Sequence, residues 1–290
     1  MLALSTGIVH AEDTLKPFAL ARTASGEMSA AVAETKQKLE QAGFEVVGEY
    51  SPYANATIIA VTNDVLKQNA AKSEFGGFGA VQRVTLTEVE GQVQIAYTNP
   101  TYFAHAYRME GDLAQVTQSL QQALGHESDY GPDEGLTPKE LRKYHYKWLM
   151  PYFTNQLELA SHSNHQAAVE AVEKALAEEK GGVSQVYGVE IPGGEETVFG
   201  VHMTTDCSGD EYIMSRIDFK DVRSTGHLPY EMVVRGDTVY TLPAEFRIAI
   251  SFPDLSMMGS NSFASIMCAP SAIETALTEA AGGQIESSGW

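Results

Sequence analysis

A unit that recurs within one chain constrains a fold more than any single motif, because both copies must bury a matching apolar face. Ala30-Ala31-Val32 returns as Ala167-Ala168-Val169 and Leu39 as Leu176, a shift of 137 residues. "TIIAV" from Thr57 returns as "TVFGV" from Thr197 at a shift of 140, and "VQIAYTNP" from Val93 lines up with "FRIAISFP" from Phe246 at 153. "VTQSLQQALG" from Val116 completes the series against "IETALTEAAG" from Ile273 at 157. A shift that only grows is what insertions into the second copy leave after a tandem duplication. Chance matches scatter.

The repeat divides the chain into a signal-peptide remnant at 1–11, a first α+β repeat at 12–125, a helical connector at 126–163 and a second α+β repeat at 164–290. Each repeat opens with a helix of period 3.6, carried by Met28, Val32, Thr35 and Leu39 or by Ala167, Val172 and Leu176, and stopped at Gly43 or Gly181-Gly182. Strands follow near 44–50 and 56–62, and near 183–190 and 196–203 with a turn at Pro192-Gly193-Gly194. The first repeat continues with a helix near 64–73, broken by "GGFG" at 76–79, and a hairpin over 80–89 and 92–98 turning at Glu90-Gly91. The second is expected to exchange that helix for a longer stretch, 204–229, with a strand-like "EYIMSRIDF", and then to form strands near 230–235 and 239–251. Helices over 112–124 and 271–281 close the two copies.

In the connector, Thr137-Pro138-Lys139-Glu140 is a capping box with proline in the first turn. The helix it starts would carry Leu141, Tyr144, Trp148 and Tyr152 on one side and the basic island Lys139, Arg142, Lys143, His145 and Lys147 on the other. The expected class is α+β: two tandem repeats of a small helix-on-sheet domain, forming a two-lobed protein about an approximate twofold axis.

Charge narrows the partners. With 19 Lys and Arg against 38 Asp and Glu, the formal charge is −19, which argues against a nucleic-acid surface and against an anionic membrane face. No run approaches the ~20 apolar residues of a membrane helix, so membrane insertion is not expected. "LALSTGIVHA" followed by Glu12-Asp13 resembles a signal-peptidase site, which points to a periplasmic or secreted bacterial protein. Cys207 and Cys268 are the only cysteines; they read either as a disulfide closing a loop of about 60 residues or as two buried thiols.

"ATIIAVTND" at 56–64 and "EGQVQIAYTNPTYFAHAYRM" at 90–109, with Tyr97, Asn99 and Pro100 and a trailing helix, give residues 57–125 a likeness to a known family. This stretch resembles the bacterial domain of unknown function 302 family. The likeness implies a small α+β domain, often paired, with helices against one sheet face, and it implies no reaction. Two fused copies look like such a pair made permanent in one chain. The family's turn stands here as Thr62-Asn63-Asp64, and the second copy lacks counterparts of Tyr97 and Asn99.

Walker, GxGxxG, HExxH, CxxC and GxSxG patterns are missing. Acid–base chemistry would need His105 with Tyr102 or Arg108, or His227 with Asp206 or Asp210, and no spacing forces either pairing. The expected function is therefore a non-catalytic binding protein, exported, with a cleft between its lobes walled by 99–108 and 252–263. Tyr97, Asn99, Tyr102, His105 and Arg108 are its candidate ligand contacts. The ligand, a small molecule or a protein, stays open, as does the choice of monomer or homodimer. The alternative is a copper or other soft-metal or redox protein using His202, Cys207, Met257, Met258 and Cys268, since thioether, thiolate and imidazole together suit Cu(I).

Overall fold

The computed structural model describes residues 13–194 and 196–284. The leader expected at 1–11 lies outside them. The fold is α+β, with two antiparallel sheets among the described residues. The first half runs β1 (Phe18–Ala24), α1 (Met28–Gln41), β2 (Glu45–Tyr50), β3 (Ala56–Thr62), α2 (Asp64–Ala70), β4 (Gln82–Val89), β5 (Gln92–Thr98), α3 (Pro100–Ala106) and α4 (Ala114–Leu124). Its strands lie in the order β2-β3-β4-β5-β1, with the short β6 (Ser128–Tyr130) added beside β1. Glu90 and Gly91 both take positive φ, 51° and 76°, as a two-residue hairpin requires.

After the one-turn α5 (Pro138–Leu141), the second half runs β7 (Leu157–Ser161), α6 (His165–Ala177), β8 (Val183–Glu190), β9 (Glu196–Met203), α7 (Asp210–Ile217), β10 (Tyr230–Arg235), β11 (Thr238–Thr241), α8 (Ala244–Ser251) and α9 (Ala269–Ala280). Its strand order, β8-β9-β10-β11-β7, matches the first half strand for strand. The irregularities match too. Ala21 and Leu159 are the extra residues where β1 meets β5 and β7 meets β11; Val47 and Val186 are the extra residues where β2 meets β3 and β8 meets β9. A bulge in the same place in both halves is a shared design rather than a shared composition.

Several expectations are corrected. "EYIMSRIDF" begins as helix α7, so the second half keeps the counterpart of α2. The strand expected over 239–251 ends at Thr241, and 244–251 is α8, buried on every side except at Glu245. Pro243, the N-cap of α8, therefore corresponds to the start of α3 near Pro100, and Pro253 does not. The shift between matched strands rises to 148 at β4 and β10 and falls to 144 at β5 and β11, because the second hairpin is shorter. In the connector the capping box forms, but the helix stops at Leu141; Trp148 is 84% exposed, and β6 and β7 join the two sheets from within 126–163.

Each sheet carries its helices on one face and meets the other half with the opposite face. Period-2 alternation makes this visible. Ile59, Val61, Val84 and Leu86 pack with Leu39 of α1, whereas Ile58 joins the core of the second half. In return Val198 and Val233 leave their own half's core and join the first. The edge strands β2 and β8 abut at their bulges: a Cβ on Gly48 would drive into the Val186 carbonyl, so this approach requires glycine. Inward-facing residues between the sheets include a buried ion pair, Arg83 with Glu231. Val61 pairs with Gln82 and Val201 with Tyr230, so the next residues, Arg83 and Glu231, occupy equivalent positions in the two halves. Tyr187 donates to Glu231 Oε1 at 2.6 Å. Burial opposes the Arg83 charge, and Glu231 outweighs it, so the guanidinium is held charged.

Candidate functional site

The aromatic run after β5 is interior. Tyr97 points to the helix side and donates to the Gly125 carbonyl at the end of α4, 3.2 Å away. Asn99 caps α3, accepting from the Thr101 and Tyr102 N–H groups, and ties α3 to the chain start by donating to the Lys16 carbonyl at 3.0 Å. Tyr102, fully buried, crosses to the other half and donates to the Ile250 carbonyl at 2.8 Å. Phe103, Tyr107, Phe153 and Phe246 continue the ring contacts between the halves. The wall expected at 99–108 is therefore a filled interface. His105 and Arg108 lie at its edge, where burial, with Arg142 nearby, holds the imidazole below its usual pKa. Arg108 takes φ 54°. These five residues do not converge on an open cleft.

The acid–base pairings fare the same way. His227 is fully buried, with Nδ1 3.0 Å from Ser251 Oγ and Nε2 3.0 Å from Tyr230 Oη, and Arg247 donates to its carbonyl. Burial, reinforced by Arg247 and Arg83, pushes its pKa well down, so the ring is a neutral core group. Asp210 belongs elsewhere: its Oδ2 accepts from Tyr50 at 3.3 Å and lies 3.9 Å from His202 Nε2. Burial raises the Asp210 pKa well above the carboxylate range and lowers that of His202.

Cys207 and Cys268 form a disulfide, with Cα atoms 5.8 Å apart at a sequence separation of 61. The bridge removes both thiolates from the expected soft-metal set, and His202 stands against Tyr50, away from the methionines. Among the described residues no group of three or more His, Cys, Asp and Glu side chains is placed to hold a metal.

Open grooves do lie between the halves, at equivalent places. One, of about 600 Å³, runs between Tyr53, Asn55 and Glu88 on one side and Glu211, Phe219 and Arg223 on the other. Its counterpart, of about 370 Å³, lies between Lys72 and Glu74 and the turn at Pro192-Gly193, where Arg235 pairs with Glu74. The first mixes polar with apolar side chains, and the second is mainly polar. Glu196 bridges the second by accepting from the Phe75 and Gly77 N–H groups, 2.8 Å each.

A largely apolar space lies in the second half. A cavity of about 540 Å³ has its floor on Leu157, Leu242, Phe263 and Ile273, with Met150, Met257, Met258 and Met267 around its mouth. Met258 and Met267 are more than three-quarters exposed. The local sequence fixes each wall. Pro243 starts α8 directly after β11. The loop from 256 to 263 is pinned by Phe263 N–H donating to the Ser256 carbonyl at 2.9 Å, and Ser262 with Ser265 forms a capping box. Tyr146 stacks on Phe263 from the connector side, 5.2 Å between centroids, and donates to the Leu255 carbonyl. Pro270 sits in the first turn of α9, and the disulfide at Cys268 ties that turn to the segment before α7. The size is that of a small-molecule site, and flexible thioethers at a mouth accommodate varied apolar shapes. From the 252–263 segment Met257, Met258 and Phe263 line this cavity, which lies within the second half and is not the cleft expected between the lobes. The sequence signal was "SMMGS", two methionines in a Ser/Gly loop.

No known protein family, curated protein or solved structure matches the chain.

Proposed function

We propose that this chain is a non-catalytic binding protein that holds an apolar small molecule in the methionine-rimmed cavity of its second half. The observation that carries the reading is a space of about 540 Å³ lined mostly by apolar side chains, among them the buried Leu242, Phe263 and Ile273. The disulfide supports an oxidising compartment, and no described helix is long and apolar enough to cross a membrane. A periplasmic or secreted bacterial location, with a cleaved leader, fits both. We also infer that the two halves descend from one ancestral unit, for which the likeness to the domain of unknown function 302 family is the present guide; matched strand order and matched bulges support it.

The test is a cavity-filling variant. Ala264 lines the cavity and is exposed, so Ala264→Trp adds bulk into the space without a core clash. Decanol titrated calorimetrically into the wild-type protein is expected to bind one to one, and the variant to lose at least ten-fold in affinity with its melting temperature unchanged. Equal binding by the two proteins, or none by the wild type, rejects the reading.

A second reading retains one observation: four thioethers surround one mouth. Thioethers alone suit Cu(I). Anaerobic Cu(I) titration, with Met258→Leu and Met267→Leu as comparison, would show stoichiometric uptake lost in the variants if this reading holds.

A further inference from the structure

We infer that the cavity selects ligands with a cationic head on an apolar body, such as an alkylammonium. This rests on the cavity being the binding site, as proposed above. The inference comes from counting what polar groups the lining has left to offer. Thr241 Oγ1 already donates to the Glu231 carbonyl at 2.8 Å, and Ser271 Oγ to the Cys268 carbonyl at 3.4 Å. The remaining polar side chains of the lining are two carboxylates, Glu245 in the first turn of α8 and Glu274 in α9. Among the described residues neither is in an ion pair and no side chain donates to either carboxylate. The lining includes no Lys, Arg or His. Lys147, three residues before Met150, lays its ammonium over the Tyr146 ring, 5.1 Å from the centroid.

An ionised carboxylate accepts hydrogen bonds and donates none. The side chains of the cavity can therefore receive a donor and repel an anion; Glu245 is half-buried beside the apolar walls, where its attraction for a cation is stronger than in bulk water, and Glu274 is exposed. A fatty acid would bring its carboxylate toward two others. An alkylammonium would complete the two unpaired groups. The overall charge of −19 draws cations toward the molecule in general, so selection by the cavity must be separated from that background.

Calorimetric titration of the oxidised full chain with decylammonium, decanol and decanoate, all well below micelle formation, makes the separation. The cation is expected to bind one to one at least ten-fold more tightly than decanol, with decanoate weakest. In Glu245→Gln/Glu274→Gln the advantage of the cation should fall to within about two-fold of decanol, whose own affinity is unchanged. Glu40→Gln/Glu173→Gln removes the same charge from exposed helix positions and should keep the advantage. Equal affinity for all three ligands, or an advantage that survives loss of Glu245 and Glu274, overturns the cationic selection while leaving the cavity as the site. Failure of all three to bind overturns the site itself.

Discussion

Asp218 shows how one side chain sets a pH response. Its Oδ1 accepts from the Ser224 N–H at 2.9 Å, while Oδ2 is buried without a partner, and burial raises the pKa from 3.8 to about 7. A carboxyl that holds its proton more tightly when folded favours the native state fully below pH 4. That contribution is lost as pH rises through about 7, because the unfolded chain has already given up the proton. Asp218→Asn should therefore match the wild type in urea unfolding at pH 4 and exceed it at pH 8 by about 1–2 kcal/mol, less than ~1.4 kcal/mol per pKa unit would give because one edge of the residue meets solvent. An unchanged difference between the two pH values would refute this. Such residues were invisible in sequence, since nothing in "SRIDFK" distinguishes a buried aspartate from a surface one. Local hydrogen-bonding signatures were legible: Thr137 accepts from Glu140 N–H while Glu140 reaches back, as the four-residue pattern required.

Elements with a strong local signal are the legible ones, although the helix expected from the connector's capping box stops at Leu141. α1, α6 and the β8–β9 hairpin have one buried face or a Gly-rich turn. β1 and β7 leave no local signal because the residues they pair with in β5 and β11 are 69 to 84 positions away. α8 was mistaken for a strand because "FRIAIS" alternates and is buried all round, so a helix there leaves no amphipathic stripe. The cavity walls come from the connector, β7, β11, α8 and α9, each ordinary alone. At this scale the disulfide is the testable feature. It closes a 61-residue separation and clamps the start of α9, where Met267, Pro270 and Ser271 line the cavity. Cys207→Ser/Cys268→Ser should lose about 2–4 kcal/mol of stability. Decanol affinity, measured where both forms stay folded, should also fall several-fold. Unaltered affinity would mean that the wall holds without its clamp.

At the scale of the whole molecule, the halves are matched in topology and opposed in charge where they meet. Arg83 and Glu231 stand at equivalent positions, so two identical halves would have placed like charges face to face. Removing either partner leaves a buried charge without its counterion, and Arg83→Met or Glu231→Gln should each cost about 3–5 kcal/mol. The exchanged pair, Arg83→Glu/Glu231→Arg, should be more stable than either charge reversal alone; chemical denaturation of the four proteins decides it, and additive losses would contradict a direct coupling. The abutment of β2 on β8 carries a further consequence. Unpaired strand edges invite other chains to add on and begin fibrils. Here two of those edges face each other, β6 covers β1, and the turn after α9 brings Gly283 up against the Leu159 carbonyl of β7. Aggregation of this protein then has to wait for the halves to part, and agents that only loosen surface loops should leave it clear in solution.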